Sequence, residues 1–131
     1  MAVKLVRRKK GQALVEFAII LPVIMLLLMG ILQFGMMLNS YLEVQNAARE
    51  GARTGIVGST DTGIRNQITA ISPGLDSRNM TISINPVENQ RKSGDTLTIK
   101  ITYSYQMTVP IISNFFSRPI QLNAQTSMRV E

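Results

Sequence analysis

The feature that most constrains this chain is a run from Phe17 to Leu42, 26 residues without one charged side chain. Wound as an α-helix at about 1.5 Å per residue, the run reaches roughly 39 Å, more than the roughly 30 Å hydrocarbon core of a bilayer. One membrane crossing, at about residues 17–38, is the natural outcome, and the lipid bilayer is the first expected partner. Ahead of it stands MAVKLVRRKK, with Lys4, Arg7, Arg8, Lys9 and Lys10 and no acid. Such a cluster stays on the cytoplasmic side, so the N-terminus is expected inside and the C-terminus outside. Residues 1–11 are too polar and too short to fold, and form a basic cytoplasmic leader.

Two residues at the head of the apolar run do not suit a plain anchor. Glu16 places a carboxylate at its edge, where an acid costs up to about 2.5–3.5 kcal/mol if carried to the bilayer centre and less near the surface. Gly11 stands at the junction of the basic and apolar parts, although glycine is worse than alanine by about 1 kcal/mol inside a helix. Both ask for a functional explanation. Further along, Pro22, Gly30, Gln33 and Gly35 interrupt the apolar run. They are either ordinary membrane-helix composition or the marks of a face packed on other subunits, because small and polar residues mediate contacts where the hydrophobic effect is absent.

A basic leader, Gly11, the segment Gln12-Ala13-Leu14-Val15-Glu16-Phe17 and a long apolar helix together resemble a class III type IV prepilin signal. With VQNAAREGAR (Val44 to Arg53) added, residues 10–55 resemble TadE-like proteins, the minor pseudopilins of tight-adherence (Flp-type) pilus systems. The resemblance implies that a prepilin peptidase cuts after Gly11, making Gln12 the first residue and Glu16 the fifth. It implies that Glu16 serves assembly with other pilins and pseudopilins on an assembly platform in the cytoplasmic (inner) membrane, and that the protein can enter an extracellular, adhesive pilus. Phe17 departs from the tyrosine usual in the major pilins, which argues against the major-subunit role.

Composition narrows the alternatives. The net charge of +6 suggests a nucleic-acid partner until the leader's five positive charges are set aside, which leaves nine Lys/Arg against eight Asp/Glu. The excess is then a topology signal, and no nucleic-acid partner is expected. The chain has neither cysteine nor histidine. Disulfides and thiolate or imidazole chemistry are thereby absent, so we expect no enzyme, no metal and no cofactor. No phosphate-binding glycine loop or paired-carboxylate constellation occurs, and Glu88 and Asp95 are most simply solvated loop charges.

Beyond the apolar run nothing breaks the helix until Gly55–Gly63, so one helix over 12–57 is expected, membrane-spanning first and then projecting. Tyr41, Val44, Ala48 and Ala52 form an apolar stripe, and Ala47, Gly51 and Gly55 a small-residue row at spacing four. Close packing along Ala47, Ala48, Gly51, Ala52 and Gly55 follows, with the chain's own sheet favoured as occupant over a groove for another molecule. Arg49, Glu50 and Arg53 take the remaining surface. A second helix is expected at about 61–71, capped near Thr60 to Thr62, with Ile64, Ile68 and Ile71 on one face. Alternation then predicts strands at about 80–85, 96–109 and 120–130, the middle one with Leu97, Ile99, Ile101, Tyr103, Tyr105, Met107 and Val109 buried and the residues between them wet. Ile111, Ile112, Phe115 and Phe116, between the last two strands, either complete the core, the more frequent outcome for such residues, or make a binding patch. The fold class is therefore α+β: a long N-terminal helix, a short second helix and a small three-stranded antiparallel sheet packed on it, with 58–131 as the extracytoplasmic, pseudopilin-like domain.

Two further function classes stand beside the pseudopilin. One is an uncleaved single-pass anchored ectodomain acting as a binding module. The other, an ordinary secretory signal peptide over residues 1 to about 38, has an apolar region far beyond the usual length of about 7–15 residues. The mature N-terminus separates all three: Gln12, Met1, or a residue past Leu38.

Overall fold

The computed structural model describes the backbone of residues 2–131 and the side chains of residues 9–131; the side chains of Lys4, Arg7 and Arg8 lie outside the described residues. The element order is α1 (Ala2–Ile56), α2 (Asp61–Ile71), β1 (Met80–Asn85), β2 (Thr96–Tyr105), α3 (Pro110–Ser113) and β3 (Ile120–Arg129). Short 3-10 turns at Ser77–Asn79 and Glu88–Gln90 flank β1. The expected α+β class is what the structure contains: a long helix, a short helix and one antiparallel sheet in the order β1-β2-β3. The chain divides into two compact units, one ending at Gly35 and one running Met36–Glu131.

Helix α1 begins at Ala2, whereas the leader was expected to stay unfolded to residue 11. Alanine, leucine, lysine and arginine are good helix formers, and extending a nucleated helix adds one bond per residue fixed. Helical backbone also continues through Pro22. In the first unit the side chains from Leu14 to Phe34 present a continuous apolar surface, while Gln33 is buried. Among the described residues α1 is the one helix long and apolar enough to cross a membrane.

The second unit holds the core. Val44, Ala47, Ala48 and Ala52 of α1, Ile64 and Ile68 of α2, and Leu97, Ile99 and Ile101 of β2 are completely buried. Tyr103, Tyr105, Leu122, Ala124, Ile84, Leu75 and Val130 close the cluster. The paired registers Ile82↔Ile101 and Ile101↔Ala124 put the centre of β2 in the middle of the sheet. On the opposite, wet face Thr98 meets Ser127 (2.8 Å), Thr102 meets Asn123 (3.0 Å) and Ser104 meets Gln121 (3.0 Å). These cross-strand pairs satisfy one another without charge, which is how a half-solvated antiparallel sheet stays soluble and in register.

Four expectations are corrected here. Strand β2 ends at Tyr105 and not at 109, because its last partners are Met80↔Tyr103 and Tyr105↔Ile120; residues 106–109 have no strand on either side, and Pro110 opens α3. Tyr41 is 40% exposed although it lies on the same side of the helix as Ala48 and Ala52, because it stands one turn before Val44, where the fully buried part of α1 begins. Ile71 is exposed too: Ile64 and Ile68 fit against Gly55 and Gly51, and the buried row continues at the same spacing to Ser72, which leaves Ile71 off it. Finally, Ile111, Phe115 and Phe116 do not complete the core; they are 48%, 80% and 51% exposed, and only Ile112 is half-buried.

Candidate functional site

At the head of α1, Lys9 to Phe17 are all exposed. Glycine at residue 11 has no packing reason within the chain, because a Cβ there would meet nothing within 4 Å. One helical turn on, Gln12 Nε2 donates to Glu16 Oε1 at 3.2 Å, the i,i+4 geometry that brings such side chains together. The structure therefore places Gln12 and Glu16 together on one exposed face, with Gly11 exposed immediately before them in the chain. A group attached at Gln12 lies within reach of the Glu16 carboxylate, and both are open to a second molecule. Gly30 and Gly35 likewise have open space where a Cβ would stand, so neither is required by the chain's own packing.

The small-residue row is the reverse case. Ala47, Ala48, Gly51, Ala52 and Gly55 are all buried. A Cβ on Gly51 would lie 2.7 Å from Ile68 Cδ1, 2.8 Å from Ile68 Cγ1 and 3.4 Å from Ile99 Cδ1. A Cβ on Gly55 would collide with Leu97 Cδ2 and stand 2.9 Å from Ile64 Cδ1. The two glycines thus let α1 approach α2 and β2 at once, so this row serves the interior of the second unit. Val44 and Ala52 continue the same face; Arg49 and Arg53 point outward, with Arg53 3.7 Å from Glu50 in an exposed pair worth little.

A polar cluster has no forewarning in the sequence. Arg91, whose side chain is 6% exposed, pairs with Asp61 at the start of α2 and donates from Nη1 to Ser59 O at 2.9 Å. Asp61 and Glu88 exchange reciprocal bonds, Asp61 N to Glu88 Oε2 and Glu88 N to Asp61 Oδ2, both 3.2 Å. Glu88 is therefore part of a clasp between the α1–α2 loop and the β1–β2 loop, not the free loop charge expected. Asp95 also has work: its carboxylate accepts from Lys92 N at 2.9 Å and its carbonyl accepts from Val130 N at 2.8 Å. Thr60 caps α2 by accepting from Gly63 N at 3.0 Å. Asp76 caps the following turn and binds Arg78 in a two-pronged pair (3.1 and 2.9 Å). That hydrogen bonding holds the Asp76 carboxyl below its ordinary range and raises the Arg78 guanidinium.

The described residues contain no group of three acids that could hold a metal ion. An open cleft of about 330 Å³ lies between the end of β2 and the start of β3, lined by Gln106, Met107, Ser113, Phe116 and Arg118 among others. It opens to solvent, and the residues that line it include no carboxylate or lysine beside the Ser113 and Ser117 hydroxyls.

The family model described as TadE-like protein matches residues 11–53. No curated protein and no solved structure matches the chain. The matched span opens on Gly11, includes Glu16 and the whole apolar run, and closes within the small-residue row, the same residues that carry the resemblance seen in the sequence. Residues 11–53, about a third of the chain, are thus similar to the TadE-like family, and the match does not extend into α2 or the sheet.

Proposed function

We infer that the protein is a minor pseudopilin, a structural or assembly subunit of a tight-adherence type IV pilus without catalytic activity of its own. A prepilin peptidase removes the leader after Gly11. The mature helix is held in the cytoplasmic membrane with its N-terminus inside, and the α+β unit works on the outer side with other pilins and the assembly platform. The observation that carries this reading is the exposed Gly11, followed by the Gln12–Glu16 pair, at the first residues of the TadE-like match. A glycine that no packing requires is what a peptidase needs if it binds extended backbone too closely for a side chain. A carboxylate one turn after the new amine gives that amine a partner in low dielectric, in the same chain or on a neighbouring subunit.

The test is the intact mass of the protein from its native host, where a chain beginning at Gln12 is expected. Gly11→Val should leave the full-length precursor in the membrane. If that variant is still shortened by residues 1–11, the prepilin reading loses its support. A wild-type chain that keeps Met1 favours the second reading, an uncleaved anchored binding module, to which the exposed Ile111, Phe115 and Phe116 lend some substance.

A further inference from the structure

The geometry points to the loop at 106–119 as a second membrane contact, an apolar patch of Ile111, Phe115 and Phe116 that dips into the outer headgroup layer beside the exit of α1. The inference rests on the membrane-crossing reading of α1 and on nothing about cleavage or assembly.

Its height follows from two contacts within the second unit. Glu131 N donates to Ile56 O at 3.3 Å, and Gln45 Nε2 donates to Asn123 O at 3.3 Å. From Ile56 back to Gln45 the helix covers about 16 Å, while from Glu131 back to Asn123 the strand covers about 26 Å. β3 therefore crosses α1 obliquely, advancing about 0.6 Å along the helix for each 1 Å of strand. Three further strand residues reach Ile120 and bring the sheet end level with about Tyr41. The loop joining Tyr105 to Ile120 lies beyond that point, at the end of the unit where Met37 and Met107 pack on the core. The expected crossing ends near Leu38, within about 5 Å of Tyr41 along the axis. A headgroup layer is roughly 5–7 Å deep on each side, so the loop stands at its height.

The chemistry of the loop matches that position. Phe115 is the most exposed large apolar side chain described, at 80%, and Ile111 and Phe116 are about half exposed beside it. Residues 106–119 include no acid and one base, Arg118, the sign that favours anionic lipid. Tyr41 is also half out of the core at this level, where aromatic residues gather at membrane surfaces. In water these side chains form an unpartnered apolar patch; in the headgroup and acyl boundary their burial is favourable, as for the apolar face of an interfacial helix.

The chain has no cysteine, so single cysteines can carry a nitroxide label in the full-length protein. Phe115→Cys, Gln125→Cys on the wet sheet face and Leu27→Cys in the apolar run would each be labelled and reconstituted in vesicles of phosphatidylcholine and phosphatidylglycerol at 3:1, about the charge of an anionic leaflet. Collision with oxygen, which concentrates in lipid, is compared with collision with a water-soluble nickel chelate. Position 115 should favour oxygen, as position 27 does, and position 125 should favour the chelate. If 115 behaves like 125 while 27 remains in lipid, the loop is in water and the inference is wrong. If 115 is shielded from both reagents and its spectrum broadens as the protein-to-lipid ratio rises, a second copy covers the patch, which also overturns it. Loss of the lipid signal at 27 would instead refute the membrane crossing itself.

Discussion

Replacing Ile101 by aspartate is the sharpest test of how the sheet is seated. Ile101 is completely buried at the centre of β2, between Ile82 and Ala124. Its removal forfeits about 1.5–3 kcal/mol of apolar burial. A carboxyl group enclosed there without a partner costs about 1–3 kcal/mol more. The loss of roughly 3–6 kcal/mol compares with roughly 5–14 kcal/mol for a whole unit the size of Met36–Glu131 at 0.05–0.15 kcal/mol per residue. Lys100, one residue away, is exposed between Ser83 and Gln125, so Lys100→Asp meets no like charge across either strand pair. It should shift stability by no more than about 0.5 kcal/mol, as surface changes usually do. Urea unfolding in detergent micelles, followed by the near-ultraviolet signal of the buried Tyr103 and Tyr105, reports on this unit without interference from the apolar helix. Ile101→Asp should lower the midpoint severely or abolish the transition. Equal shifts for both variants would show that the sheet is covered on both faces, and an unchanged midpoint for Ile101→Asp would refute the packing of α1 and α2 on β2.

Gly51→Ala should destabilise the same unit by up to about 2 kcal/mol, an overpacking cost of about 1–3 kcal/mol less the helix-propensity gain of up to about 1; Gly35→Ala, whose Cβ meets nothing, should leave the same midpoint unmoved, and equal effects would count against the close approach. Arg91→Met should cost about 1.5–3 kcal/mol by urea midpoint, since charge-assisted bonds to Asp61 and Ser59 are lost, and a loss no larger than for Arg53→Met would show that the clasp is idle. Because Asp76 titrates below its ordinary range when folded, its contribution is present above the unfolded aspartate pKa and is lost as pH falls through the lower folded value. Asp76→Asn should flatten that acid part of the stability curve slightly, and an unaltered slope would contradict the pairing with Arg78. Glu16→Gln and Glu16→Leu should insert and be cleaved yet fail to associate with other pilins, whereas co-purification of cleaved Glu16→Leu at wild-type level would make the charge incidental.

The sequence by itself determined whatever depends on near neighbours along the chain. An uncharged run of bilayer length, the alternation through Ile99 and Ile101, and the spacing of Ile64 and Ile68 each follow from one element's own periodicity, and so α1, α2 and the three strands were legible, β1 to the residue. The closeness of Gln12 and Glu16 was legible for the same reason, since one turn of helix separates them. Tertiary structure decided what two distant segments must agree on. Whether Phe115 is core or surface depends on the room left once β2 and β3 have covered α1, and alternation within a loop carries no information about that room. The end of β2 at Tyr105 depended on where β1 and β3 stop. The clasp of Arg91 with Asp61 and Glu88 joins loops about thirty residues apart in charges that, read locally, look like any solvated turn. A polar residue's neighbours in sequence specify its solubility; only the fold supplies its partner.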